Sequence, residues 1–201
     1  MKHVSGLVYR VALLLVVATL LVGCAHKTPQ LKVYPSEGLP FTQRFPRGFL
    51  SINELGDSEI VLISEGTENQ HRQQGKILYP TNVGSVKQIV HIRILWKPLP
   101  GTRADQPTAT NATINWYVRS NLPGEENDKL DYSGAGFVAV YPNKRGAHIV
   151  IKNANLALRQ RSGEIQDPFN KPYISGSFDV LRNDGVVRDV LAQLNTNVAS
   201  R

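Results

Sequence analysis

The chain has 201 residues, a single cysteine, and a net charge of +7 from 23 Lys and Arg against 16 Asp and Glu. One cysteine excludes an intrachain disulfide and any cysteine-cluster metal site, and this length suits one domain of ordinary size. The chain has no long Lys/Arg run and no helix-turn-helix or RRM-like pattern, so nucleic acid is not an expected partner; the mild positive excess favours anionic surfaces instead.

The first element is apolar. Lys2, His3 and Arg10 precede Val11 to Val22, in which only Thr19 is polar. Twelve residues suit the h-region of a secretory signal and are short for a transmembrane helix, which needs about 20. The run ends in Leu21, Val22, Gly23 and Cys24: aliphatic at −3, small at −1, cysteine at +1. These residues resemble the lipobox of bacterial lipoproteins. The resemblance covers the first 24 residues. It implies a diacylglyceryl group on the Cys24 thiol, cleavage just before it, and acylation of the new amino group. Each buried methylene contributes roughly 0.8 kcal/mol, so such a multi-chain anchor makes the membrane a lasting partner. Ala25, where an aspartate would favour inner-membrane retention, implies an outer-membrane lipoprotein facing the periplasm if the source is Gram-negative. Loss of residues 1–23 removes Lys2 and Arg10, leaving 178 residues with a net charge of +5.

Residues 24–48 are expected to be the lipidated cysteine and a tether, because Pro29, Pro35, Pro40 and Pro46 recur and neither apolar period persists. Residues 49–201 then form a single β-rich envelope domain. Glu59 to Ile63 is an apolar run expected as a buried strand, Glu65 to Gln74 a polar loop, and Gly75 to Tyr79 a short strand stopped by Pro80. Val86 to Trp96 alternates, with Val86, Val90, Ile92, Ile94 and Trp96 on one face and Lys87, His91 and Arg93 on the other. A second alternating strand sets Ala112, Ile114, Trp116 and Val118 against Asn111, Thr113, Asn115, Tyr117 and Arg119. The Asn111-Ala112-Thr113 sequon has no expected meaning in a bacterial lipoprotein.

Leu122 to Asp131 reads as a loop. Gly136 to Tyr141 and Ala147 to Leu158 read as a hairpin through Pro142 to Gly146. Apolar parity switches from Ile149 and Ile151 to Leu156 and Leu158, which predicts a bulge at 152–155. Arg159 to Pro172 reads as a loop and Tyr173 to Leu181 as the last strand. Val186, Val187, Val190, Leu191 and Leu194 fall on one helical face, with Asp184 placed as the cap. The expected fold is therefore mainly β, an antiparallel β-sandwich or curved sheet of about six to eight strands with one C-terminal α-helix.

No histidine pair has zinc spacing, and no metal or cofactor is expected. Gly134-Ala135-Gly136 lacks the helix and lysine of a phosphate loop. Ser175-Gly176-Ser177 sits within a strand, unlike a nucleophile elbow, and its glycine suits packing against a large neighbour such as Trp116. The leading expectation is a non-enzymatic binding or structural module for an envelope protein or anionic polymer. Its candidate binding face is Lys87, His91, Arg93, Asn115, Tyr117 and Arg119, which share one parity on two long strands; tyrosine stacks on sugar rings and arginine pairs with carboxylates or phosphates. The alternatives are an envelope hydrolase using His91, His148 and Asp179, or a carrier enclosing an apolar ligand.

Overall fold

The computed structural model describes residues 28–53, 57–66, 86–99, 101–103, 109–120, 128–165 and 167–199. The expected signal segment with Cys24, the expected strand at 75–79 and most of the expected loops at 65–74 and 122–131 lie outside the described residues. Among the described residues, nine strands and one helix follow in order: β1 (Gln30–Tyr34), β2 (Phe41–Arg44), β3 (Arg47–Ile52), β4 (Ser58–Gly66), β5 (Val86–Ile94), β6 (Ala112–Ser120), β7 (Lys129–Asn143), β8 (Gly146–Ser162), β9 (Tyr173–Arg182) and α1 (Asp184–Ala199).

The segment expected as a tether is mostly sheet. The four prolines that suggested a tether all fall outside strands: Pro29 precedes β1, Pro35 follows it, Pro40 precedes β2, and Pro46 separates β2 from β3. Proline is tolerated at such boundaries because no ladder N–H is needed there. Of the segment expected as a tether, residues 24–29 precede the first strand.

β3 through β9 form a ring of seven strands. Neighbours are antiparallel from β3 to β9, and the ring closes through a short parallel pairing, Phe49 with Leu181 and Leu50 with Arg182. Of the two expected arrangements the sheet is curved, not a sandwich: β9 bonds both β8 and β3, so the sheet's two ends meet in a barrel. The closing seam is thin, and β1 reinforces it by pairing along β9 from Tyr173 to Gly176, with β2 outside it. Pro29 lies over Gly48, where a Cβ would come within 2.8 Å of the proline ring.

Curvature comes from the bulge that the parity switch predicts. Between β8 and β9 the register shifts from Ile151 to Ala154, with Asn153 at φ 50°, and between β7 and β8 it shifts at Ala135/Phe137. There β7 must pass close to β8: a Cβ on Gly134 would lie 1.8 Å from the Asn155 carbonyl oxygen. Gly134 and Gly136 thus serve strand crossing. Gly176 is likewise close-packed, but its neighbours are Gln30 and Leu31 of β1 (2.7 and 2.9 Å from a Cβ), where Trp116 was expected.

Inward-facing residues of all seven ring strands make one core, plugged by aromatics. Trp116, 0% exposed, is stacked on Phe169 at 5.0 Å and flanked by Tyr132 and Phe45 at 6.2 and 6.3 Å. Its indole N–H donates to Gln88 Oε1 at 3.2 Å. α1 packs outside, placing Val187, Val190 and Leu194 against Val61, Ile63 and Ile89. This explains the unbroken apolar run of β4: one parity faces the barrel interior and the other faces the helix. Asn183, one residue before the expected Asp184, caps the helix by accepting the Val186 N–H at 3.1 Å. Asp184 accepts the Ile52 N–H at 3.3 Å and so ties the helix start to β3. Its carboxyl is held below the usual range by Ser51, the Ile52 amide and Arg182.

Candidate functional site

Two polar groupings lie on the barrel's outer surface. The first arises from β8 and β9. Ser177 and Asp179 are two residues apart on β9 and so share a face, while register places His148 of β8 directly opposite Asp179. His148 Nδ1 lies 2.8 Å from Asp179 Oδ1, and Nε2 lies 2.9 Å from Ser177 Oγ. A carboxylate can only accept, so Nδ1 donates to Asp179, and in the neutral imidazole the Nε2 lone pair is then placed to accept the serine O–H. Nucleophile, base and orienting acid stand in the order that acyl transfer uses. The Tyr141 ring lies beside His148, 6.4 Å between centroids. The face is open to solvent, and strand amides lie in the plane of the sheet, so β8 and β9 do not aim paired donors above Ser177 to hold an oxyanion.

The sequence reading joined His148 to Asp179 correctly but placed His91 with them. His91 lies on β5, opposite Val61 and Asn115. Ser177 takes the third place. The sequence signal for it was its shared parity with Asp179; the β8–β9 register that completes the trio has no local signature.

The second grouping is the expected binding face. Pairing of β5 with β6 sets Lys87 opposite Arg119, Ile89 opposite Tyr117, His91 opposite Asn115 and Arg93 opposite Thr113, so the six residues do share one outer surface. Much of its charge is already engaged. Lys87 is 3.7 Å from Glu65, which also pairs with Arg47 at 2.9 Å. Arg119 bonds Asp131 and the Val118 carbonyl and stacks over Tyr117 at 5.4 Å. Tyr117 itself packs against the helix-side apolar cluster, and burial, seconded by Asp131, raises its phenol above the usual range. His91 is mostly buried, 3.7 Å from Glu59, and burial holds its imidazole below the usual value against the pull of that carboxylate. Its Nε2 has no hydrogen-bond partner among the described residues. Arg93 stands exposed, and no ion pair engages it among the described residues. The face is thus half covered by α1 and internally neutralised at its Lys87/Arg119 end.

Asn111, expected on the polar face of β6, instead lies just before that strand as a buried structural residue. Asn111, fully buried, donates from Nδ2 to the carbonyls of Trp96 (3.0 Å) and Val138 (2.8 Å) and accepts the Val138 N–H at 2.8 Å. Its backbone carbonyl accepts the Leu95 N–H at 2.8 Å. One side chain thereby ties the exit of β5 and the entry of β6 to the middle of β7. Among the described residues, no group of three His, Cys, Asp or Glu could hold a metal ion. Compared with models of known families, with curated proteins and with solved structures, the chain matches none.

Proposed function

We propose that the protein is a lipid-anchored module of the cell envelope that binds an envelope protein or polymer through the outside of its barrel. The observation that carries this reading is the position of β1. The fold begins at Gln30, so the six residues from Cys24 to Pro29, five Cα-to-Cα steps, span at most about 17 Å at roughly 3.3 Å per step. An acylated Cys24 would therefore keep the barrel beside the membrane. The aromatic plug around Trp116 supports a working surface on the outside over a carrier cavity within. If the source is Gram-negative, Ala25 favours the outer membrane, facing the periplasm.

The test is Cys24→Ala in cells grown with labelled palmitate. The variant loses the label, and the wild-type protein carries it with an N-terminal acyl-cysteine by mass spectrometry. Equal labelling of variant and wild type, or an unmodified Cys24, ends the anchor reading. Crosslinking in intact cells then names the partner, as a reproducible protein or peptidoglycan adduct.

The hydrogen bonds of Ser177, His148 and Asp179 favour one second reading, ester hydrolysis through an acyl-Ser177 intermediate. A fluorophosphonate probe should label the wild-type protein and spare Ser177→Ala. An unlabelled wild-type protein removes this reading.

A further inference from the structure

The turn after β5 is apolar, cationic and rigidly held. Leu95, Trp96 and Leu99 are 54%, 40% and 75% exposed, although large apolar side chains normally leave water. Arg93, Lys97 and Arg103 are exposed around them. No acidic residue stands between Glu68 and Asp105 in the sequence. The apolar tips are held in place by a built scaffold. Leu95 N–H and Trp96 C=O are both bound by Asn111, and the Leu99 carbonyl accepts from both the Thr102 N–H (3.1 Å) and the Thr102 hydroxyl (2.8 Å). Gly101 at φ 86° closes the turn. Little conformational freedom is left to lose when these side chains enter an apolar phase.

Strand direction says which way this turn faces. β9 ends at Arg182 beside Leu50, β3 ends at Ile52, Ile52 pairs with Ser58, and Ser58 pairs with Ile94. One rim of the barrel therefore carries the ends of β3, β5 and β9. β1 runs antiparallel to β9, so the chain before Gln30 approaches from that same rim. The five Cα-to-Cα steps from Cys24 to Pro29 reach at most about 17 Å. The exposed Leu39, by contrast, stands between β1 and β2 at the opposite rim.

We infer that the Leu95–Arg103 turn is a membrane contact, with Trp96, Leu95 and Leu99 seated in the headgroup boundary of the leaflet that holds the Cys24 lipid, and Arg93 and Lys97 against anionic headgroups. Tryptophan is favoured at that depth because its ring is amphipathic, and cations near an anionic surface add attraction that salt weakens. This inference rests on the anchor reading above for which surface is met, and it specifies how the barrel is oriented on it.

The chain has two tryptophans, Trp96 and the core residue Trp116, which makes a residue-specific test possible. Full-length protein purified from its membrane is reconstituted into vesicles containing about one-third anionic phosphatidylglycerol, with and without brominated acyl chains. Flotation and the mass of the N-terminal peptide report the anchor; quenching of tryptophan emission reports the turn. Quenching in wild type, absent in Trp96→Phe, supports the contact. Arg93→Glu with Lys97→Glu should weaken the quenching on anionic vesicles, by roughly fivefold in lipid affinity per cation, and high salt should do the same. Protein that floats with Cys24 lipidated yet shows no Trp96 quenching overturns the contact and leaves the anchor standing. Protein that lacks the lipid ends the anchor reading. Vesicles added to that unlipidated protein then decide the contact separately, since quenching of Trp96 supports it and an unquenched Trp96 overturns it.

Discussion

Asn111→Ala should be among the most damaging single substitutions available outside the apolar core. The side chain satisfies three buried or part-buried backbone groups: the Val138 N–H, the Val138 carbonyl and the Trp96 carbonyl. Val138 is fully buried, so no water reaches its amide once the Asn111 carboxamide is removed. An orphaned buried donor or acceptor costs about 1–3 kcal/mol each. The Trp96 carbonyl, nearer the surface, can turn to water. The expected loss is therefore about 3 kcal/mol, a large share of the roughly 5–15 kcal/mol typical of a domain. In urea, with a slope of about 2 kcal/mol per molar, the midpoint falls by about 1.5 M. Trp116 fluorescence supplies the probe. Asn111→Asp sharpens the argument because it keeps the shape and reverses a donor into an acceptor. Its carboxylate would face two carbonyl oxygens, so its pKa in the fold rises above the unfolded value near 3.9. Between those two values the native state binds the extra proton, so the variant regains stability as pH falls and loses it as pH rises. An Asn111→Ala midpoint within a few tenths molar of wild type at equal slope, or an Asn111→Asp protein as stable as wild type at pH 7, would refute the clamp.

Three further outcomes follow from packing, titration and capping. Gly134→Ala forces a Cβ to within 1.8 Å of a backbone oxygen, so β7 and β8 must separate; expect several kcal/mol lost and accelerated amide exchange at the β7–β8 crossing, where an unchanged exchange pattern would contradict the close approach. His91 is held below its usual pKa of 6.5, chiefly by burial; across from it stand Val61 and Asn115, beside it Arg93 and Ile89, and Glu59 nearby. The unfolded chain thus binds the proton first, and wild-type stability should fall as pH drops below about 6.5, with a slope that His91→Gln flattens by up to one proton. Asn183→Ala removes the cap of α1 and should lower stability by about 1 kcal/mol, seen as a lower thermal midpoint; an unchanged midpoint means that Asp184 holds the helix start unaided.

The strands of the domain's second half were legible because parity is a local signal. Val90, Ile92 and Ile94 of the first alternating strand and the even positions of Ala112 to Ser120 are buried inside the barrel as expected, whereas Trp96, expected on the same face, lies beyond the end of β5 and is exposed. The parity switch near Lys152 announced the bulge, and the 3.6-residue spacing of Val187, Val190 and Leu194 announced the helix and its buried face. β1 and β2 were hidden because strands of five and four residues, each closed in by prolines, are too short for alternation to be seen. The candidate sites divide along the same line. Parity alone put Lys87, His91, Arg93, Asn115, Tyr117 and Arg119 on one face, whereas α1 covering part of it and Asp131 engaging Arg119 depend on neighbours distant in sequence.

By itself the sequence determined a mainly β chain with a C-terminal helix, the two faces of each long strand, and the place where one strand must bend. Those properties depend on side-chain alternation over a few residues. Only the tertiary structure decided that the sheet closes on itself, that Ser177 meets His148, and that Asn111 clamps three strands. Each depends on register between strands that are 27 to 132 residues apart at the pairs concerned, as Val138 to Asn111, Ser177 to His148 and Leu181 to Phe49 illustrate, with the bulged β7–β8 crossing setting how far the sheet turns before its ends meet. A backbone ladder bonds equally well in any register, so the choice among registers is made by the packing of the whole core.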